Sequence, residues 1–207
     1  MRRRPALLLV VLALAAGCGG AQAAAVDVAV DCQGRGSECV LLGADDVTAV
    51  WPVEADFEEV TRSPRSGGVR WCDAPAPVPL ETAQRVLLGA DLAGSASWAV
   101  VTTVGRFAAG DAQAYVDVIR SLPAGCEWSE AGESFQFLDG IELRRFAAAS
   151  VAVLLRVETD EGGQNVEQVV VRQGDRLATA TVVPALDRPA LLDALGSVLA
   201  ARLESLD

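Results

Sequence analysis

The clearest fold signal in this chain lies in residues 149–184, which read ASVAVLLRVETDEGGQNVEQVVVRQGDRLATATVVP. Three runs, 149–158, 165–173 and 176–184, are rich in valine, threonine and other residues that favour strands. The short segments between them, DEGG and QGD, have the turn chemistry of hairpins. The stretch therefore predicts an antiparallel meander of three strands.

Further strands are predicted on the N-terminal side of this meander. Residues 82–90 and 96–107 predict a strand pair, joined by a loop at 91–95. A strand near 134–146 precedes the meander, and residues 56–62 predict a short edge strand. With the meander, these segments make a sheet of about six or seven strands.

Three helices are predicted, at the start, middle and end of the folded part. The first spans 43–51, the second opens at Gly110-Asp111 and runs to Leu122, and the third follows Asp187 and ends near Leu206. Helices so placed do not alternate with strands. The predicted class is α+β, an antiparallel β-sheet with two or three helices packed on it and disulfides stapling the domain.

Composition excludes several classes of function. The chain has 207 residues, a net charge of −11, and 17 basic residues that are all arginine, with no lysine and no histidine. Without histidine there is no histidine-based triad, imidazole zinc site or histidine general base. Without a basic excess there is no electrostatic footprint for nucleic acid. We predict no enzyme and no cofactor, and a hydrolase that uses paired carboxylates is the remaining catalytic alternative.

The N-terminus has the features of a secretory signal peptide over residues 1–17. Arginines at 2–4 precede an apolar run, and Leu14-Ala15-Ala16-Gly17-Cys18 resembles a bacterial lipobox. The resemblance implies cleavage after Gly17 and lipid attachment to Cys18. A plain signal peptide and an uncleaved membrane helix, formed from the uncharged residues 6–26, are the alternatives. All three place the folded part outside the cytoplasm.

Cleavage would leave a strongly acidic protein in two parts. Residues 18–40 hold the acylated cysteine, a tether and a small disulfide loop, and residues 41–207 form the domain. The mature chain keeps 14 arginines against 28 acids, a net charge of −14. Because that charge opposes adsorption to anionic lipid, attachment to the membrane depends on the acyl chains.

The remaining four cysteines predict two disulfides, because an even number in an exported chain is typical of a disulfide framework. Four cysteines allow three pairings. We favour Cys32–Cys39, which closes a short loop, and Cys72–Cys126, which joins a loop to the end of a helix. The spacings do not match a zinc site, so no metal is predicted.

The aromatic and basic residues allow two interpretations. The tryptophans could line a ligand cleft or pack in the core, and packing is favoured for Trp71 and Trp128 because they flank two of the cysteines. Arg144, Arg145, Arg156 and Arg172 fall on neighbouring predicted strands, where they could hold a phosphate or carboxylate group or pair with the abundant acids. The candidate ligand-binding residues are Trp98, Arg144, Arg156 and Arg172.

Two acidic segments are predicted to have structural roles. Asp45 and Asp46 stand in the first turn of the first helix, where negative charge is favourable, and a metal-binding role is the alternative. The acids in residues 54–59 are interpreted as a solvated face. The alternative for residues 54–59 is binding of calcium or of a basic partner. The acids and glycines at 160–163 lack the alternating oxygen spacing of a calcium loop and are interpreted as a hairpin tip.

Several short motifs together resemble the actinobacterial PknH-like extracellular sensor domain, over residues 40–206. They are Leu-Leu-x-Ala-Asp-Asp-Val at 41–47, Trp71-Cys72, the helix that closes on Pro-Ala-Gly-Cys at 123–126, and Val-Val-Val-Arg-Gln-Gly-Asp at 169–175. The chain departs from many members by having no cysteine after Cys126. A PsbP-like lipoprotein fold is the nearest structural alternative.

The resemblance implies a non-catalytic sensing or ligand-binding domain on the outer face of the cell membrane. Its expected partners are the membrane, through the lipid anchor, and a small ligand or an envelope protein, but no nucleic acid. The alternative is a structural accessory protein that docks to another envelope protein, in which case an exposed apolar patch is expected rather than a lined concavity.

Overall fold

A computed structural model describes residues 31–51, 55–61, 70–72, 74–91, 97–130, 133–141, 149–159, 162–186 and 189–206. The predicted signal segment 1–17, the predicted lipidation site Cys18, the loop 92–95, Arg144, Arg145 and Asp187 lie outside these residues. No helix of the described part is long and apolar enough to cross a membrane.

The described residues form an α+β fold, as predicted. The strands are β1 (Ala55–Thr61), β2 (Arg70–Trp71), β3 (Ala74–Pro75), β4 (Glu81–Asp91), β5 (Ser97–Arg106), β6 (Glu127–Glu130), β7 (Glu133–Ile141), β8 (Ala149–Thr159), β9 (Gly162–Gln173) and β10 (Arg176–Val183). The helices are α1 (Ala44–Val50), α2 (Asp111–Arg120) and α3 (Pro189–Glu204), and a 3₁₀ turn covers Ser37–Val40. Eight strands make an antiparallel sheet in the order β1-β4-β5-β10-β9-β8-β7-β6, and β2 pairs with β3 as a separate ribbon.

The predicted meander is confirmed as β8, β9 and β10 in the middle of the sheet. Val166 of β9 lies opposite Leu155 of β8, and Val171 lies opposite Ala178 of β10. The two-residue turn between β9 and β10 contains Gly174 at φ 57°, a left-handed conformation that glycine adopts without steric strain.

Helices cover both faces of this sheet. Val169 and Val171 of β9 pack in the core that contains α3, whereas Val170 packs in the core that contains α2. Successive side chains of a strand point to opposite faces, so a strand covered on both sides needs apolar residues at consecutive positions. This explains the unbroken Val-Val-Val run. We call the two sides the α3 face and the α2 face.

The α3 face holds the larger core. Its helix contributes Leu192, Leu195, Leu199 and Leu203, each with no exposed surface, and α1 packs beside it through Val47. The smaller core on the α2 face forms around Val116 and Ile119 of α2.

A buried ion pair joins the two ends of the domain. Asp46 Oδ1 lies 2.5 Å from Arg202 Nη2 near the end of α3, and both side chains are less than a tenth exposed. The other oxygen of Asp46 accepts the backbone N–H of Gly43 at 2.7 Å, so the acid also stabilises the start of α1 as predicted. The backbone N–H of Cys32 donates to Ser205 Oγ at 3.0 Å. These contacts attach the N-terminal segment to α3.

The sheet has eight strands where the sequence predicts six or seven, because β6 was not predicted. The separate β2–β3 ribbon was not predicted either. β6 has four residues, Glu-Trp-Ser-Glu, and each ribbon strand has two. Segments this short have no measurable periodicity, and pairing with β7 is what makes β6 a strand. The predicted edge strand is confirmed as β1 at the other edge of the sheet.

Candidate ligand-binding groove

Trp98, a predicted ligand residue, lies in the core of the α3 face. Its ring centroid is 4.3 Å from that of Trp51 and 4.8 Å from that of Phe57, and the residue is 9% exposed. Gly89 lies directly opposite on β4, where a Cβ atom would collide with the indole. These contacts place Trp98 in the packed core of the α3 face, and its ligand-binding role stays a prediction.

The described arginines of the predicted anion site lie on opposite faces. Arg156 is opposite Asn165 on the α3 face and forms an ion pair with Glu158, Nε to Oε1 2.6 Å. Arg172 is on the α2 face and donates through Nη1 to the carbonyl oxygen of Gly174 at 2.9 Å. Side chains on adjacent strands share a face of the sheet only where the register places them there. The structure does not bring Arg156 and Arg172 together on one face, and anion binding by either arginine stays a prediction.

The structure contains the two disulfides that the sequence favours. The Cα atoms are 5.6 Å apart in Cys32–Cys39 and 5.8 Å apart in Cys72–Cys126. The second bond links the β2–β3 ribbon to the segment between α2 and β6. Because Trp71 precedes Cys72 and Trp128 lies two residues after Cys126, this bond brings the two indoles together.

The two indoles and one phenyl ring form an aromatic wall beside the sheet. The ring centroids of Trp71 and Trp128 are 5.5 Å apart, and Trp128 stacks on Phe135 at 5.3 Å with planes 13° apart. The stacked pair is a direct cross-strand pair of β6 and β7. Trp71 also meets Tyr115 of α2 edge-on at 6.3 Å, which connects the wall to the helix.

The wall borders a groove of about 260 Å³ on the α2 face. Its floor consists of side chains from the three central strands, namely Leu155, Val157, Gln164, Val166, Gln168, Thr181 and Val183, and Glu133 lies at its side. Each floor strand pairs with a neighbour on both sides, so its backbone groups are occupied in the sheet. Recognition in the groove therefore depends on side chains.

The polar groups of the groove are few and mostly neutral. Gln168 donates through Nε2 to Thr181 Oγ1 at 3.0 Å. Two buried atoms of the lining, Trp71 Nε1 and Gln168 Oε1, have no hydrogen-bond partner among the described residues. Glu133 is the one carboxylate among the described residues that line the groove, and no arginine lines it. The site is an apolar concavity with a few hydrogen-bonding groups, which is typical of small-molecule sites.

A second cavity, of about 320 Å³, lies at the β6–β7 edge and shares Trp128 and Phe135 with the groove. Its polar lining is already paired internally. Gln136 donates to Glu127 Oε1 at 3.1 Å, and Arg156 of the same lining is held by its ion pair. In the described part of the chain, no three potential metal-ligating side chains cluster together.

The sequence analysis placed Trp71 and Trp128 beside a disulfide but did not predict the groove. The available signal was the closeness of each tryptophan to a cysteine of the favoured pair. Phe135 and the floor residues carried no comparable signal, because the register decides which side chains share the α2 face.

Comparison with known proteins gave matches to solved structures alone. No family model and no curated protein sequence matches the chain. The extracellular domain of PknH from Mycobacterium tuberculosis is 14% identical, over 80% of this chain and 94% of that one, with a TM-score of 0.48. A putative uncharacterised protein from Mycobacterium smegmatis is 12% identical, over 75% of this chain and 94% of that one, with a TM-score of 0.44. Likenesses at this level do not establish a family, and the proposals below rest on the residues of this chain.

Proposed function

We propose that this chain is a protein held by a lipid anchor on the extracytoplasmic face of the cell membrane. Its domain binds a small ligand without catalysing a reaction. The groove on the α2 face is the observation that carries the binding proposal. A disulfide holds one part of its wall, and side chains of three central strands form its floor. A concave apolar site with a few polar groups is the usual form of a small-molecule site.

Two features of the chain support export and anchoring. The residues at 14–18 resemble a lipobox, and the four other cysteines lie within disulfide distance in two pairs. Disulfides persist in oxidising compartments, so the pairs support a place outside the cytoplasm.

The residues of the groove support binding rather than catalysis. Among the described lining residues, Glu133 is the one carboxylate, whereas hydrolysis by paired carboxylates needs two acids at a defined separation. The chain has neither histidine nor lysine to activate a hydroxyl nucleophile.

The docking alternative has less support. The described part of the chain has three exposed large apolar residues, Val78, Leu80 and Leu88. Leu88 is only 37% exposed. Scattered exposed apolar residues are ordinary on monomeric proteins.

The anchor is tested by metabolic labelling with an alkyne-tagged fatty acid in a bacterium that processes lipoproteins. We expect the label on the wild-type chain and none on Cys18→Ser, because the thiol is the acylation site. The double variant Cys32→Ser/Cys39→Ser is the matched control and should keep the label. Equal labelling of Cys18→Ser would contradict the anchor.

The ligand site is tested by mass spectrometry of small molecules that copurify with the full chain. We expect molecules that are enriched on the wild-type protein to be depleted on Trp128→Ala, which removes half of the stacked pair in the wall. Leu88→Ala, which shortens an apolar side chain outside the groove, is the control and should retain them. Identical profiles for wild type and Trp128→Ala would refute binding in the groove.

A further inference from the structure

The charges and the lining of the groove restrict the chemistry of its occupant. We infer that the groove takes an uncharged amphiphile, a molecule with a hydrocarbon chain and a head of hydroxyl or amide groups. This inference rests on the proposed ligand-binding function and names the substrate class of the same site.

The apolar part of the occupant follows from the floor and wall. Leu155 and Val166 are 5% exposed, and Val157 and Val183 are half-buried, so these four side chains form the aliphatic part of the floor. Trp128 stacks on Phe135, and its plane is tilted by 48° to that of Trp71. The stack on Phe135 occupies one ring face that a sugar would need as a platform, whereas a hydrocarbon chain packs against ring edges and methyl groups alike.

The head group follows from the polar atoms. Trp71 Nε1 is a donor and Gln168 Oε1 an acceptor, both buried and without a partner among the described residues. A hydroxyl donates and accepts hydrogen bonds, so one type of group can satisfy both kinds of atom. Gln164, which is exposed at the groove, adds a neutral amide.

Charge excludes an anionic head. No arginine is among the described residues that line the groove, and Glu133 at its side is acidic. The whole chain carries −11, and the mature form predicted from the sequence −14, so the surrounding potential also repels anions. A carboxylate or phosphate placed on this floor would be desolvated, and none of the described lining residues supplies a cation to compensate it.

The groove also lies apart from the N-terminal attachment of the domain. Cys32 contacts Ser205 at the end of α3, on the opposite face of the sheet from the groove. The groove therefore faces away from the side on which α3 and the N-terminal segment are joined.

The experiment is photo-crosslinking on the full chain in phosphatidylcholine vesicles. The probe is a monoacylglycerol with a diazirine in an eight-carbon chain. Labelling is read in the tryptic peptide 121–144, which carries Trp128 and Phe135 of the wall, and in 157–172, which carries the floor residues from Val157 to Gln168. We expect both peptides to be labelled, and excess monooctanoylglycerol to suppress the labelling. Octanoate should compete at least about tenfold more weakly because its carboxylate would be desolvated in a groove whose described lining offers it no cation. Octyltrimethylammonium, methyl glucoside and glycerol should also compete less well than monooctanoylglycerol.

Matched variants connect the labelling to the groove. Val157→Asp places a charge on the half-buried floor and should lower labelling of peptide 121–144 at least about tenfold. Leu88→Asp makes the same kind of change at an exposed position outside the groove and should leave labelling unchanged. Trp128→Ala, at a half-buried wall position, should also reduce labelling if Val157→Asp fails to fold.

The outcomes separate this inference from the proposed function. Equal competition by octanoate, or stronger competition by octyltrimethylammonium or methyl glucoside, would overturn the neutral amphiphile and leave a groove that binds another class. If Val157→Asp and Trp128→Ala both fold and neither reduces the labelling, then binding in the groove and the neutral amphiphile are both overturned. A second arm uses a diazirine-bearing diacylglycerol built into the vesicles. Labelling in that arm supports a membrane lipid as the source of the amphiphile, and labelling by the soluble probe alone supports a dissolved one.

Discussion

Replacement of Asp46 by alanine tests the reasoning about the buried ion pair. The substitution leaves the guanidinium of Arg202, which is 4% exposed, without its carboxylate partner. Removing one partner of a buried pair costs about 3–5 kcal/mol. For a domain of this size we expect the melting temperature to fall by roughly 10 °C.

Two further variants separate the contributions of Asp46. Asp46→Asn keeps an oxygen that can accept the N–H of Gly43 but removes the charge, so it should be less destabilised than Asp46→Ala by about 1 kcal/mol. Asp45→Ala removes the exposed neighbouring acid of the same first turn and should cost about 0.3–1 kcal/mol.

A double variant shows whether the cost comes from the unpaired cation. Asp46→Leu/Arg202→Met replaces both charges with apolar groups and should recover most of the loss, since apolar replacements of buried pairs are often neutral. The carbonyl oxygen of Leu41 loses its bond from Arg202 at 2.9 Å but keeps one from Arg85 at 3.2 Å.

The assay is urea and thermal unfolding of the detergent-solubilised protein, followed by tryptophan fluorescence. An unfolding free energy for Asp46→Ala within about 1 kcal/mol of wild type would refute the reasoning. Losing one member of an ion pair whose two side chains are buried must cost more than losing one member of an exposed pair. A double variant no more stable than Asp46→Ala would refute the explanation by an unpaired charge.

Three other predictions concern packing, pH and redox state. Gly89→Ala places a methyl group against the Trp98 ring and should destabilise the fold by about 1–3 kcal/mol. Gly140 has open space around it, so Gly140→Ala should change the unfolding free energy by less than about 0.5 kcal/mol. Equal effects of the two substitutions would contradict the close approach of Gly89 to Trp98. The hydrogen bond and charge of Arg106 hold the pKa of Glu81 below its usual 4.5, so the stability that this group contributes is present above about pH 4.5 and is lost as the pH falls through the folded-state pKa. The stability difference between wild type and Glu81→Gln should therefore shrink between pH 7 and pH 3 in urea titrations, and a constant difference would count against the pair. Reduction of the Cys72–Cys126 disulfide should lower the unfolding free energy by about 4 kcal/mol at most, measured with and without reductant in a Cys32→Ser/Cys39→Ser background so that the other disulfide does not contribute. No change would mean that the bond does not constrain the unfolded chain.

Local patterns predicted most of the regular elements. The runs at 149–158, 165–173 and 176–184 became β8, β9 and β10, because alternating β-prone residues and glycine turns act over a few neighbours. The three helices were likewise predicted from apolar spacing and terminal residues. β6 was missed because a four-residue strand depends on its partner for stability.

The candidate site was much less accessible from sequence. Trp98, Arg156 and Arg172 were singled out by residue type, and none of them lines the groove. Residue type indicates what a side chain can do, but a strand pattern alone does not say which face is open. The buried pair of Asp46 and Arg202 was also not predicted, since 156 residues separate its members.

The amino-acid sequence by itself determined the α+β class and the hairpin turns, because each depends on residues close together in the chain. It favoured one of three possible cysteine pairings, and that pairing is the one in the structure. The tertiary structure alone decided which face each side chain of a strand occupies and which residues meet across long separations. Trp71 and Trp128 form one wall because a disulfide and the β6–β7 pairing bring their segments together. The floor exists because the register of three strands places its side chains on one face. Both are contacts between distant segments, and their free energy depends on the whole packed sheet rather than on local propensity.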